Sequence, residues 1–336
     1  MIISAIITAV IAFLISWLTG YKLVPWLRAV KMGQVINDIG PTWHKYKEGT
    51  PTMGGLMFIA GTVIASVCGY VILGLLSREY FRSPLSVEWK RLLINLVCCI
   101  AFALIGFDDD YHKIHNHQNL GLTAKQKIVL QIVVSAAYLA AMHFWVEDDT
   151  AVWLPVVGDI DLGFFYYPLL MFSIIGIVNA VNLTDGVDGL AGSTTMVAAA
   201  GFMVLSVILN RPGNLLLSTA VGASLIGFLI WNFKPAKVFM GDTGSMFLGG
   251  AVVAMSFGCG RELFMLISGV LFVIEAFSDI IQVGYFKLTH GKRIFKMAPI
   301  HHHFEMSGWS EEKIVLVFSL ISLAGSLVSI FLTILS

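Results

Sequence analysis

Gly106-Phe107-Asp108-Asp109-Asp110-Tyr111-His112-Lys113 closes an apolar run that begins near residue 91. The same kind of junction recurs twice. Asn179-Ala180-Val181-Asn182-Leu183-Thr184-Asp185-Gly186-Val187-Asp188-Gly189 closes a second run, and Met240-Gly241-Asp242-Thr243-Gly244-Ser245 opens a third. Carboxylates at the edge of hydrocarbon are costly unless a cation or a hydrogen-bond network holds them. So many at one level predict a metal-dependent site where a water-soluble substrate meets a lipid.

The surrounding composition belongs to a membrane. Of 336 residues, 57% are hydrophobic and only 12% are charged, against ~25% charged in a soluble domain. The chain reads as an all-α polytopic membrane protein, one integral-membrane catalytic unit over 1–336. It has about ten spans, each needing roughly 20 apolar residues. The expected spans are 2–24, 53–76, 91–107, 127–146, 164–183, 189–208, 214–231, 244–259, 262–286 and 312–335. The first is read as a retained helix, because no A-x-A-like cleavage signal follows it.

Lys and Arg set the orientation. Loops 27–52, 108–128, 232–243 and 287–311 hold thirteen of them, and the opposite loops hold six. The first set is expected in the cytoplasm, with both termini outside. A small external β-hairpin is expected near 150–163, with Gly158-Asp159 at its turn. The four cysteines lack metal or disulfide spacing. Balanced acids and bases argue against a nucleic-acid partner.

Each polar element admits a chemical and a plain reading. In Asp109-Asp110-x-x-Lys113, helical spacing puts one acid beside the ammonium. Such a pair can hold Mg2+ and a phosphate oxygen together, or can be a solvated, self-neutralised loop. Asn182, Asp185 and Asp188 are three apart and would line one stripe of a helix; Asp185 or Asp188 would otherwise cap the next span. Asp242 precedes a span whose start offers free N–H groups to phosphate, unless Asp242, Thr243 or Ser245 is itself a cap. Asn232, Phe233, Lys234, Lys237 and Phe239 would suit a stacked base with phosphates nearby. The run His301-His302-His303 presents imidazoles to phosphate more readily than to zinc, whose ligands want wider spacing. Lys45, Lys47, Lys125 and Lys127 serve equally as substrate contacts or as membrane-surface anchors. Lys292, Arg293 and Lys296 fit an amphipathic segment on the inner leaflet. Glu275 and Asp279, one turn apart inside an expected span, are left unassigned.

Together these stretches resemble the bacterial phospho-N-acetylmuramoyl-pentapeptide-transferase family, within the polyprenyl-phosphate N-acetylhexosamine-1-phosphate transferase superfamily. The likeness runs from Lys47-Glu48-Gly49-Thr50-Pro51-Thr52-Met53-Gly54-Gly55 to His301-His302-His303-Phe304-Glu305. His112 and the extra Asp108 are minor departures.

The resemblance implies ten transmembrane helices, a homodimer and a cytosolic cleft in the bacterial cell membrane. It also implies a Mg2+-dependent reaction of UDP-MurNAc-pentapeptide with undecaprenyl phosphate, giving lipid I and UMP. Carried onto this sequence, it makes Asp242 a metal ligand with Asp109 and Asp110 beside it, and Asp109 a candidate base. Asn182, Asp185 and Asp188 would organise the metal-diphosphate region, with Gly186 and Asp188 near the nucleoside. Asn232 and Phe239 would hold uracil, with Lys45 or Lys47 nearby. Lys113, Lys125 and His301 would meet phosphates, supported by His302 and His303. A sister transferase of GlcNAc-1-phosphate and a cation or metabolite transporter are the alternatives; the transporter predicts polar residues spread through the depth of the spans.

Overall fold

The computed structural model of the chain describes residues 1–30, 47, 49–76, 86–115, 121–147 and 149–335. Lys45 falls outside the described residues. The helices are α1 (Ile2–Ala29), α2 (Gly55–Leu76), α3 (Ser86–His115), α4 (Ala124–Trp145), α5 (Tyr166–Thr184), α6 (Leu190–Ile208) and α7 (Pro212–Asn232). They continue with α8 (Gly241–Cys259), α9 (Phe264–Ile267), α10 (Val270–Leu288), α11 (Ile300–Glu305) and α12 (Glu311–Leu335).

The long helices match the ten expected spans in order, with three differences. Among the described residues, 8 helices are long and apolar enough to cross a membrane, and α8 and α10 are not among them. Glycines and a polar first turn dilute α8, while α10 carries three charged residues, Glu275, Asp279 and Lys287. The expected span 262–286 is split at Ser268-Gly269 into α9 and α10. Finally, α3 continues past residue 107 to His115, so its three consecutive acids sit on helix and not in a loop.

Lipid is the evident solvent of the rim. Helix α1 buries Ser4, Thr8, Ala12, Ser16 and Gly20 while Ile2, Ile6, Val10 and Leu18 face outward. Helix α12 likewise turns Ser322, Gly325, Ser326 and Ser329 inward and Leu316, Leu320, Leu327 and Phe331 outward. Apolar side chains gain nothing by leaving hydrocarbon, so small residues that permit close backbone contact occupy the helix interfaces. Side-chain pairs staple those interfaces: Thr62 to Ser224 at 2.9 Å, Ser268 to Ser329 at 2.9 Å, and Gln131 with Asn179 through two amide bonds. At the centre, α8 is buried from Thr243 to Cys259, and α7 is buried along most of its length.

The hairpin is present as β1 (Ala151–Leu154) and β2 (Gly158–Asp161), antiparallel, with Leu154 opposite Gly158. Its turn is Pro155-Val156-Val157, so Gly158-Asp159 opens the second strand instead of forming the turn as expected. The Arg261 guanidinium lies 4.3 Å from the Trp153 ring centroid and pins the hairpin to the bundle.

Candidate active site

The acids of the opening motifs meet at one end of the bundle, where α3, α5 and α7 finish and α2, α4, α6, α8 and α12 begin. Close approach is built into the backbone. A Cβ at Gly106 would collide with the Asp242 carbonyl, and one at Gly55 with the backbone of Gly244. Gly54 N–H donates to Phe239 O at 2.8 Å and Gly55 N–H to Met240 O at 3.0 Å. The Thr50-Pro51-Thr52-Met53-Gly54-Gly55 stretch therefore clamps the approach to α8.

Asp109 and Asp110 are buried next to Asp242, and an oxygen from each of the three lies within 4.8 Å of the others. Lys113, one turn along α3, reaches Asp109 Oδ2 at 2.6 Å and Asp242 Oδ2 at 3.0 Å. Lys127 approaches from α4, 3.0 Å from Asp109 Oδ1 and 2.8 Å from Asp242 Oδ2. A Thr123/Gln126 capping box fixes the start of α4 and so the face on which Lys127 emerges. Leu122 N–H also donates to Asp109 at 2.8 Å.

Asp110 is held differently. It accepts from Asp242 N–H at 3.1 Å, Thr243 N–H at 2.9 Å and the Thr243 hydroxyl at 2.6 Å. A carboxylate from α3 thus caps α8, where the helix dipole favours negative charge. Two of the first N–H groups of α8, expected as a seat for phosphate, those of Asp242 and Thr243, are thus taken by Asp110. No side chain at the α8 N-cap position itself makes a cap bond.

Asn182, on the last turn of α5, donates to Asp242 Oδ1 at 3.0 Å and to Ser245 Oγ at 2.8 Å. The helix stops at Thr184, and Asp185 is its C-cap. The expected stripe of Asn182, Asp185 and Asp188 is consequently divided. Asp188 faces Lys47 at 2.7 Å and the Ala236 N–H at 3.0 Å. The next helix has Gly189 in the left-handed conformation at its N-cap, with no side-chain cap, so neither acid caps it. Asp185 is half-buried. Burial first, and then the nearby charges of Asp242, Asp110 and Asp188, push its carboxyl well above the usual range, against the pull of Lys47.

A second polar cluster adjoins the first. Lys47 bridges Asp188 and Glu311, the latter at 2.8 Å, and Lys234 approaches Glu311 at 3.5 Å. Burial opposes the Lys47 charge, but these two acids outweigh it and raise its pKa. Asn232 joins the two loops, accepting from Gly189 N–H at 3.0 Å and donating to Val238 O at 2.9 Å. Phe239 is half-buried beside them. His301 is buried against Gly186, where a Cβ would strike its ring, and its Nδ1 lies 3.0 Å from Glu275. His302 pairs with Glu305 at 2.7 Å, and His303 Nδ1 accepts from Lys296 N–H at 3.1 Å.

The structure therefore gathers Asp109, Asp110, Lys113, Asn182 and Asp242 into one cluster. It sets Lys47, Asp188 and Asn232 in the second and His301 against Gly186. Lys125 is exposed, on another side of α4 from Lys127, and does not join the acids. Lys127, Glu275, Glu311, Thr243 and Ser245 were not among the expected site residues. An acid inside an apolar run marked Glu275, whereas nothing in the sequence set Lys127 apart from Lys125 or marked Glu311. The three carboxylates, two of them buried, form an oxygen-only donor set that fits a hard divalent cation such as Mg2+.

The family model described as glycosyl transferase family 4 matches residues 92–259. The phospho-N-acetylmuramoyl-pentapeptide-transferase signature 1 matches residues 47–59, the clamp before α2. The chain is 41% identical over 329 residues to the phospho-N-acetylmuramoyl-pentapeptide-transferase of Halalkalibacterium halodurans, covering 97% of each chain. It is 40% identical over 326 residues to that of Listeria monocytogenes, covering 96% of each. With that of Bacillus subtilis it shares 41% identity over 312 residues, 93% of this chain and 92% of the relative.

Proposed function

The chain belongs to the phospho-N-acetylmuramoyl-pentapeptide-transferase family, and from that premise we propose what its site does. It transfers phospho-MurNAc-pentapeptide from UDP-MurNAc-pentapeptide to undecaprenyl phosphate, giving lipid I and UMP, the first membrane step of peptidoglycan synthesis. The observation that carries this reading is the near-full-length likeness to transferases of that name.

In the reaction a lipid phosphate oxygen forms a bond to the sugar-bearing phosphorus while the bond to the UMP oxygen breaks. Both partners are anions, so catalysis is largely alignment and charge neutralisation. Asp242, Asp109 and Asp110 would hold Mg2+, which supplies charge neutralisation on the diphosphate. Lys113 and Lys127 line the same carboxylates and can turn to phosphate oxygens. Asn182 and Ser245 orient Asp242, and Asp110 keeps the start of α8 in register. Asp109 carries Leu122 N–H and two ammonium groups, which favours a role as a charged anchor over one as a proton acceptor. On the nucleoside side, Asn232, Phe239, Asp188 and Lys47 form the uridine end, and His301 faces the phosphates from Gly186. Lys125 remains in the reading as a peripheral phosphate attractant, and Lys45 as a residue near the uracil.

The site opens to the cytoplasm in this reading, supported by the excess of Lys and Arg in the loops at its end of the bundle. Homodimerisation is carried by the resemblance alone. The signature over 47–59 favours this branch over a GlcNAc-1-phosphate transferase. Concentration of the acids at one end disfavours a transport path, which would spread them through the bilayer.

Purified full-length protein in detergent, given UDP-MurNAc-pentapeptide, polyprenyl phosphate and Mg2+, is expected to release UMP. Release of UDP would mean ordinary glycosyl transfer, and equal turnover of UDP-GlcNAc would place the chain in the sister branch. No nucleotide release at all would refute the reading.

A further inference from the structure

Glu275 lies on α10 and His301 on α11, and both are fully buried. The His301 Nδ1 to Glu275 Oε2 distance is 3.0 Å. Each side chain keeps one further polar atom with no hydrogen-bond partner among the described residues: Oε1 of Glu275 and Nε2 of His301. Leaving such an atom unpaired in the interior costs about 1–3 kcal/mol, so an orphaned ring nitrogen asks for a ligand. Its direction indicates which. The Nε2 edge lies against Gly186, in the turn between Asp185 and Asp188. The His302 ring packs against it, tilted by 55° with centroids 4.1 Å apart, and Glu305 ties His302 in place.

We propose that Glu275 is a positioning residue for His301. Its carboxylate accepts the Nδ1–H and fixes the ring plane, so that in the doubly protonated ring the Nε2–H is the donor left to meet a ligand. The ligand is a phosphate oxygen of the anionic donor substrate, bound at the Asp185–Asp188 turn. This rests on the reading of His301 as a phosphate contact. The logic is that of histidines in metal sites, where the partner on the second nitrogen sets tautomer and orientation. Gly186 belongs to the same device, since any side chain there would push the ring away from the turn.

The test is a double-mutant cycle on full-length protein in detergent with Mg2+, reading kcat and KM for UMP release. Glu275→Gln keeps the shape but removes the carboxylate that holds the Nδ1 proton and the ring plane. It is expected to lower kcat/KM by ~10–100-fold, as loss of such orienting partners does, with thermal unfolding unchanged. Added to His301→Asn, it is expected to change nothing further. A further loss in the double variant overturns the proposal, as does wild-type kinetics in Glu275→Gln. A second readout stands if a variant proves inactive or unfolded. In wild-type protein with 15N-labelled histidine, the ring signals absent from His301→Asn or, should that variant not fold, assigned directly are expected to show a protonated Nδ1. A bare Nδ1 on His301 overturns the proposal. Absence of UMP release by the wild type would refute the transferase reading but leave this ring signature to decide the Glu275–His301 pairing.

Discussion

Two ammonium groups, Lys113 and Lys127, each touch both Asp109 and Asp242. Pairs half withdrawn from water attract more strongly than exposed ones, and leaving one partner behind is expensive. A divalent cation held by Asp109, Asp110 and Asp242 would supply that neutralising charge, leaving Lys113 and Lys127 able to meet phosphate. Lys127→Ala is therefore expected to lower kcat/KM by ~100-fold, the lower end of the loss when one preorganised donor is removed. Lys125→Ala should stay within about twofold, because an exposed charge contributes little; UMP release measures both. Asp242→Asn should lower turnover by at least ~100-fold while the bundle unfolds at its usual temperature. At this scale the sequence was legible where contacts are local. Asp109 and Lys113 pair because they are four apart on one helix. The choice of Lys127 over Lys125 was not, since it depends on how α4 is rotated against α3, which no local pattern records.

Capping across helices decides the next scale. The start of α8 has no side-chain cap of its own and borrows Asp110 from α3. Asp110→Ala is expected to cost about 1–2 kcal/mol through the lost cap, seen as a lower unfolding temperature, and to reduce activity by loosening Asp242. Asp110→Asn, whose one amide oxygen can still accept from Thr243 while its NH2 opposes the Asp242 N–H, should recover part of the stability. Gly186→Ala should displace the His301 ring and lower kcat/KM without moving KM for the lipid, readable by varying each substrate in turn. The long apolar runs made most helices legible, because ~20 such residues admit few other folds. That the helical turn carrying Asp109 and Lys113 is continuous with α3 and runs on to His115 was not legible. Aspartate is a weak helix former, and here its carboxylates are satisfied by α8, Lys113 and Lys127, partners known only once the bundle has closed. The break at Ser268-Gly269 was hidden within an apolar stretch for the same reason.

Over the whole molecule, phenylalanines such as Phe58, Phe102, Phe228 and Phe247 fill the centre, while the rim helices α1 and α12 turn small residues inward and large apolar ones outward, so the fold depends on lipid or detergent to cover its rim. The price of gathering carboxylates at one end shows in Asp185, whose proton is held more tightly in the folded chain than in an unfolded one. For this group stability is greatest at low pH and falls as pH rises above about 4, the ordinary carboxylate value. Asp185→Asn is expected to flatten that fall in unfolding temperature; an unchanged pH dependence would show that Asp185 titrates normally. Composition made the membrane fold readable at once, and motif order made the family readable. The convergence of distant acids on one cation is the claim on which function turns. Mn2+ in place of Mg2+ allows it to be measured by electron paramagnetic resonance on the purified full-length protein. One Mn2+ bound per chain in the wild type, and lost in Asp242→Asn, is the predicted result; equal Mn2+ binding by that variant would contradict the account.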